Sequence, residues 1–512
     1  MIKKLKLSLS VLSVGIIIAS GVSADERTQV RVAYDTIPPT IDPHMSTAFA
    51  TMDFAAQIFE PLVTLNANYE PELVLAESID VSDDGKLYTI TLRDGITFHN
   101  GQPLTVDDAV ASMERWQNTS ILARANLSEA EFRKVDERTL ELELSEPAPL
   151  ALSVLGNPMQ FAGIMPKSII DEAPSQGVTE FIGTGPYKVK QWQTDQEMHL
   201  IKFEDYVSVD SEPNGLAGAK EASIDDIYLE IVTDDSTRVS GLLSGQYDVA
   251  IRLPHDNAQQ LLEDDDIKIH AEDYGFLGFF FNKKSGPFTD IKLRQAVNAA
   301  IDNNQVLYAA FGNDDFYSLE HSLAAPSQTL WYNDAGEEYY NQADPDLARE
   351  LIEESSYDGE ELRFLVSRAY PLHFYAAVVV QQQLQDVGLD VELAEYDWAT
   401  LLEYRADPEA WDMFASGFTF EPTPINALFL HSDNDYAGWT DSEEIDYLVE
   451  KIRATEDQDQ AFVLFTELQQ EVMEYATYVR YGNYKPLHGM RDYIDNFTVS
   501  NNIILWNMTI DD

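Results

Sequence analysis

The sequence predicts an α/β protein with more than one lobe. Three observations carry that expectation. Tyr274–Asn282 is an almost unbroken apolar run, too short to span a bilayer as a helix, and it reads as a fully buried strand. Pro287-Phe288-Thr289-Asp290 then opens a helix in which Leu293, Ala296, Val297, Ala300 and Ile301 share one face and Asp290 is the cap. Leu362–Val366, Tyr375–Val387 and Leu389–Tyr396 repeat strand, helix, strand, with Gly388 closing the helix; that order builds a second α/β lobe. The chain of 512 residues has room for two to four domains. Its 45% hydrophobic and 11% aromatic content is that of a globular chain, which excludes a disordered one.

The remaining elements follow in order. Met1–Ala24 reads as a secretory signal: Lys3, Lys4 and Lys6 precede the apolar Leu7–Ala19, and Val22-Ser23-Ala24 suits cleavage near Ala24. Val30–Tyr34 alternates as a strand and stops at Pro38-Pro39, before Ile41-Asp42-Pro43-His44. Phe54–Leu62 has helical spacing and ends at Pro61. Asp83-Asp84-Gly85 is a hairpin turn into the strand Leu87–Leu92, and Arg93-Asp94-Gly95 is a second turn. Thr105 caps a helix with Asp107 and Asp108 in its first turn, where acids suit the helix dipole. Leu140, Leu142 and Leu144 alternate with Glu141 and Glu143 as a half-buried strand. Gly183-Thr184-Gly185 lacks the Gly-Lys-Ser/Thr ending of a phosphate loop and reads as a turn into the strand Lys188–Trp192. Ile224–Ile231 is a strand, Ser236–Gly245 a helix and Tyr247–Ile251 a strand; two amphipathic helices, around Ile445–Ile452 and Phe462–Met473, precede the short strands that end at Trp506.

Composition limits the function. There is no cysteine, so disulfides, thiol catalysis, thiolate metal sites and a lipid-bearing cysteine are all excluded. Removing the three lysines of the secretory segment takes the formal charge from −56 to −59. Such a field disfavours nucleic acid and anionic membranes as partners. The acids read as a solvating surface of the kind that suits high salt. Asp264-Asp265-Asp266 lacks the spaced ligands and central glycine of a calcium loop.

The stretch Trp411–Trp439 is the candidate site. Trp411–Ala415 reads as a short buried strand, Ser416-Gly417 as its turn, and Phe418, Thr419, Phe420 and Glu421 as the exit, stiffened by Pro422 and Pro424. Aromatics and one acid beyond a strand end are how an open α/β sheet meets a ligand at its carboxyl edge, although core aromatics in a surface turn give the same pattern.

Four motifs then stand in a recognised order: LRDGITFHNGQPLTVDDAVASMERW from Leu92 to Trp116, TGPYKVKQW from Thr184, FNKKSGPFTDIKLRQAVNAAID from Phe281, and WDMFASGF from Trp411. Together they resemble the peptide/nickel family of extracytoplasmic solute-binding proteins that serve ABC importers, from about Val30 to Trp506. The resemblance implies a two-lobed periplasmic-binding-protein fold of type II in its large three-domain variant, with a hinge. Domain I would comprise residues 25–61, 183–275 and 479–512, domain II residues 62–182 and domain III residues 276–478. Ligand would sit between domains I and III. The implied site has Met45–Phe49 as an edge strand presenting Thr47 and Phe49, Trp398 in the strand before the cleft, and Gly417, Phe418 and Thr419 lining it. Glu421 would take the place of the acid that pairs with a ligand ammonium, and Tyr481 that of a cleft tyrosine. The family's usual aromatic and acid are Trp and Asp, so Phe418 and Glu421 depart from it, and alignment on the proline puts Thr423 at the acid position instead. For a ligand carboxylate the candidate is Arg368, beside Tyr370; the alternative is a surface arginine paired with an acid.

A binding protein without catalysis is therefore weighed against an enzyme. No nucleophile elbow, zinc helix or Walker loop occurs, and His44, His99, His431 and His488 are far apart in sequence. The resemblance implies a short peptide or similar small solute and the permease subunits of an inner-membrane importer as partners, and no cofactor. Relatives also leave a metal chelate such as nickel's, an oligosaccharide or an opine open as ligand. The protein is expected in the periplasm as a monomer, not a lipoprotein. At a charge of −59 self-repulsion should destabilise the fold in dilute buffer, so melting temperature should rise up to roughly molar NaCl. A flat or falling curve would show that local pairing already balances the acids.

Overall fold

The computed structural model describes residues 28–511; the expected secretory segment and its cleavage point lie outside the described residues. Three sheets organise the chain; one apolar core is shared by the first and second, and each of the three also has a core of its own. In the first, Gln29–Tyr34 is central and runs parallel to both its neighbours, Asp226–Ile231 and Val249–Leu253. Glu197–Lys202 and Tyr187–Gln193 extend it on one side, Leu487–Arg491 and Ile267–His270 on the other. The second sheet has the order Tyr317–Ser318, Tyr478–Tyr484, Gly275–Phe281, Met413–Thr419, Leu362–Val366, Val391–Glu395. The apolar run Gly275–Phe281 is paired on both edges and buried at every position because both faces are covered: Leu277, Phe279 and Phe281 enter one core, Phe276 and Phe280 the other.

The third sheet is antiparallel, Ala76–Val81, Leu87–Leu92, Thr139–Glu143 and Glu131–Lys134 in that order. The helix Val106–Thr119 packs on it through Ala109, Met113 and Trp116, and Thr105 and Asp108 form a reciprocal cap at its start. The core of this unit draws on residues from Leu62 to Ile182.

Several elements differ from the sequence pattern. The helix expected at Phe54–Leu62 is Phe49–Ala55, so Met45–Phe49 forms no edge strand. The helix expected from Tyr375 begins at Pro371, which suits a first helical position that needs no N–H donor. The strand expected at Trp411–Ala415 is Met413–Thr419, and Gly417 lies inside it opposite Leu277. A Cβ there would stand 2.7 Å from the Phe276 carbonyl oxygen, so close backbone approach, not a turn, requires the glycine. Tyr478–Tyr484 pairs within the second sheet, and Leu487–Arg491 pairs within the first.

The sequence motifs hold these units together. Arg115 of the helix on the third sheet reaches the Asp42-Pro43-His44 segment, where Nη1 donates to Asp42 Oδ1 (3.1 Å) and His44 Nδ1 (2.8 Å). His44 Nε2 must then carry the proton, which it donates to the Gly163 carbonyl at 2.9 Å. His99 does the same at the Gly183–Gly185 turn: Nδ1 accepts from Gly183 N–H (3.3 Å) and Nε2 donates to Gly185 O (2.9 Å). That turn packs so tightly on Ile58 that a Cβ on Gly183 would meet its carbonyl oxygen at 2.1 Å. Arg294 is buried without a carboxylate. It donates to the carbonyls of Phe288, Tyr475 and Ala476 and so closes the end of the helix Gln458–Glu474.

Burial pushes His44 and His99 down from the ordinary imidazole value to about 4, so both stay neutral in the folded protein. The unfolded chain takes up protons near pH 6.5 and the folded one only near pH 4, so stability should fall as pH drops through that window. Each such histidine contributes up to about 1.4 kcal/mol per pH unit. Denaturant midpoints measured at high salt, which screens general charge repulsion, should show this loss between neutral pH and pH ~4.5. Midpoints that stay level would mean that these imidazoles charge freely in the fold.

Candidate functional site

A cavity of about 750 Å³ lies where the three units meet. One wall is apolar and comes from the helix Ile121–Asn126 and the segment 147–160, including Leu122, Leu150, Val154 and Met159. Thr47 faces it from the loop before Phe49–Ala55, and Glu421, Asn426, Leu428 and Asn434 face it from beyond the second sheet. Ile121 and Leu428 are 63% and 51% exposed, a sign that the walls present unburied apolar surface to the space between them.

The second sheet dictates where Glu421 stands. Thr419 pairs with Gly275 at the sheet edge, and Phe420 N–H donates to Tyr274 O at 3.3 Å. Gln328 Nε2 then fixes the turn by donating to the carbonyls of Glu421 (2.7 Å) and Pro422 (3.2 Å). The carboxyl itself has no hydrogen-bond or ion-pair partner among the described residues, and burial is the one cause acting on it. That burial pushes it from the ordinary carboxylate value up to about 7. Behind it, Phe418 stacks on Phe276 with ring centres 5.8 Å apart and meets Phe429 and Tyr436 at 5.3 and 5.6 Å. This aromatic block packs beside the segment that carries Glu421.

The structure gathers some of the expected residues and separates others. Thr47 and Glu421 line the same cavity, whereas Phe418 and Thr419 do not line it but face a smaller pocket that Glu421 also borders. Phe49 is the first residue of its helix, and its ring lies 5.7 Å from that of Tyr274. Gly417 backs onto His373, 3.2 Å from where a Cβ would be. Trp398 is not in a strand: Asp397 caps the helix Trp398–Arg405 at that point, and the indole packs on Tyr370 at 4.5 Å. Thr423 is buried and does not line the larger cavity.

Two expectations meet a physical obstacle. Arg368 is 63% exposed at its side chain, lies over the Phe374 ring at 3.9 Å and is paired with Glu395 at 2.8 Å. It lines neither this cavity nor the smaller pocket. Tyr481 points into the core beside Phe279, 1% exposed, and its hydroxyl has no partner among the described residues. Its neighbour Arg480 takes the other face, 4.3 Å from the Phe276 ring, and donates to Asn483 and to Glu320 O.

Sequence reasoning also missed residues. Arg453, held by Glu450 at 2.8 Å, is the one guanidinium among the residues lining the larger cavity. The apolar wall carried no motif. Tyr69, in the turn Asn66-Ala67-Asn68-Tyr69-Glu70, comes close enough to Glu421 to feel its charge. Among the described residues no group of three or more His, Asp or Glu could hold a metal ion, and no helix is long and apolar enough to cross a membrane.

Two α/β sheets joined by a pair of chain crossings, with a third unit inserted and a cavity at their junction, define a type II solute-binding fold. The description "Bacterial extracellular solute-binding proteins, family 5 Middle" matches residues 70–438, and the chain belongs to that family. It is 29% identical over 487 residues to a "Probable peptide ABC transporter periplasmic-binding protein y4tO" of Sinorhizobium fredii, covering 90% of this chain and 89% of the relative. The ABC transporter substrate-binding protein CtaP of Listeria monocytogenes has the same fold, with TM-score 0.84, 20% identity, 95% of this chain and 100% of that one covered. A dipeptide-binding protein from Pseudoalteromonas sp. SM9913, solved with Met-Leu, gives TM-score 0.75 at 21% identity, covering 94% and 100%.

The ligand-free protein should show one glutamate titrating near pH 7, well above the ordinary value. Carbon NMR of side-chain-labelled glutamate checks this, with Glu421→Gln removing that resonance. A spectrum in which every glutamate titrates in the ordinary range would place the Glu421 carboxyl in open water.

Proposed function

We propose that this protein is the periplasmic solute-binding component of an ABC importer. It captures a short peptide, or a similar small solute with a free amine, at the interlobe cavity and presents it to the membrane permease. It acts as a monomer without catalysis, after removal of a secretory segment near Ala24. The observation that carries the proposal is the Glu421 carboxyl, unpaired among the described residues, at the floor of an apolar-walled cavity. An acid desolvated in this way is costly in isolation and favours a cationic partner. An ammonium group fits that need, and the apolar wall suits the side chains attached to it. The y4tO and dipeptide-binding relatives support a peptide over other amines. Arg453, on the same cavity, replaces Arg368 as the candidate partner for a ligand carboxylate.

Mass spectrometry of solute released on denaturation should identify a short peptide or related amine. Calorimetry with that solute should then show Glu421→Gln weakening binding by about 2–5 kcal/mol, because the ammonium is left buried and unpaired. Glu421 must lose its proton to receive the ammonium. Affinity should therefore fall as pH drops below about 7, by up to about tenfold per unit. A released solute without a cationic group, or Glu421→Gln binding with unchanged affinity, would overturn the proposal.

A further inference from the structure

Arg453 reaches the larger cavity from the end of the helix Glu443–Arg453, and Asn426, Leu428 and Asn434 reach it from the loop before that helix. His431 belongs to the same loop, and its ring joins loop to helix. Nε2 stands 3.4 Å from Glu450 Oε1, the same oxygen that accepts from Arg453 Nη1 at 2.8 Å. Nδ1 accepts from Asp433 N–H at 3.2 Å and so caps the short turn Ser432–Asn434. That leaves the ring hydrogen on Nε2, the nitrogen that faces Glu450. Ser432 N–H donates to Asp446 Oδ1 at 2.9 Å, so the loop is also fixed on the helix without His431.

The imidazole is set among acids. Asp446 Oδ1 lies 3.8 Å and Asp433 Oδ2 4.0 Å from Nδ1, so three carboxylates from loop and helix face a side chain that is 10% exposed. The Arg453–Glu450 pair, by contrast, is open to solvent and joins residues three positions apart on one helix. Exposed pairs of this kind contribute little, so a second carboxylate can take the guanidinium from Glu450 at small cost. Glu450 is then left with His431, and the cluster holds one more uncompensated negative charge. An imidazole can answer that change by binding a proton at its bare nitrogen, here Nδ1. The new N–H would face the carboxylates of Asp433 and Asp446.

We propose that His431 is a positioning residue: it takes over Glu450, binding one proton from solvent at Nδ1, when Arg453 turns to a carboxylate on the ligand. The inference rests on the function proposed above, in which Arg453 meets that carboxylate. Binding of a solute with a carboxylate is then coupled to proton uptake at His431, and binding of its neutral counterpart is not.

The test runs on the full mature protein freed of solute. Short peptides that it retains from a mixed library are remade as matched pairs, one with a free C-terminal carboxylate and one as the amide. Calorimetry at about pH 7 in buffers of different protonation enthalpy counts the protons exchanged on binding. Melting curves check that each variant folds. With the carboxylate peptide, wild type should take up more protons than His431→Asn, by up to about one per peptide bound. With the amide, the two proteins should exchange the same number. Asn keeps an acceptor for Asp433 N–H and cannot charge, so a histidine that merely shapes the loop would not produce this pattern. His431→Asn should also weaken the carboxylate peptide by about fivefold or more and leave the amide as it was. Glu450→Gln, a change at an exposed residue, frees Arg453 and should tighten the carboxylate peptide by about two- to fivefold. The inference is overturned if wild type and His431→Asn take up equal numbers of protons with the carboxylate peptide. It is overturned equally if His431→Asn weakens both peptides alike, or if Glu450→Gln weakens the carboxylate peptide. If Arg453→Gln keeps the full preference for carboxylate over amide, the partner assigned to the ligand carboxylate is wrong, and the role of His431 falls with it. If no peptide is retained, the peptide-binding function itself fails, and the inference with it.

Discussion

The pairing of Gly275 decides the geometry of the molecule. At that residue the chain enters the second sheet from the first, with Thr419 on one side and Tyr484 on the other, both antiparallel. Antiparallel neighbours of an entering strand must leave where it enters. The segment before Gly275, the exit after Thr419 and the exit after Tyr484 therefore come together at one sheet edge, facing the other lobe. Tyr274 N–H donates to Tyr484 O at 3.0 Å and so ties the two crossings together. Glu421 follows two residues beyond that edge. Its place at the junction follows from sheet register and needs no long-range contact of its own.

This register also explains which parts of the molecule were legible in the sequence. Periodicity and capping residues act locally, so the buried strand at Gly275–Phe281, the Asp290 and Thr105 caps and the α/β order could be read directly. Gly417 could not. A turn and a close backbone approach both call for glycine, and only the pairing with Leu277 distinguishes them. Arg368 was hidden for a similar reason. It follows Val366, which pairs with Glu395, so strand register supplies its acid, and no pattern within Leu362–Val366 foretells that. The apolar wall opposite Glu421 belongs to an inserted unit, where Leu122, Val154 and Met159 look like any core residues until that unit is placed against the other lobe.

His99 and Arg294, within the motifs that carried the family resemblance, and His44 outside them act as structural devices. His44 and His99 each use one nitrogen as donor and the other as acceptor, which is possible only for a neutral ring. Arg294 spends its donors on backbone carbonyls. Such groups fix how the inserted unit and the helices sit, and any solute-binding site could be built on them. That separation between scaffold and site is why the sequence announced the fold clearly and the ligand poorly.

The charge of the protein and the chemistry of the site act on different length scales. At a formal charge of −56 the surface field attracts cations and repels anions in dilute buffer. At about 1 M salt the screening length shrinks to about 3 Å, and that long-range preference disappears. A desolvated carboxyl is screened far less, because ions do not reach it. Under the proposed function, selection for a cationic group at high ionic strength would therefore fall to Glu421 and to what surrounds it. Those surroundings raise the carboxyl to about 7, so without a cation near neutral pH it is only partly ionised. In the proposed site an arriving ammonium would restore the full charge by displacing a proton. Discrimination would then depend on a short-range exchange of proton for ammonium inside an apolar-walled cavity, which a neutral or anionic solute cannot complete.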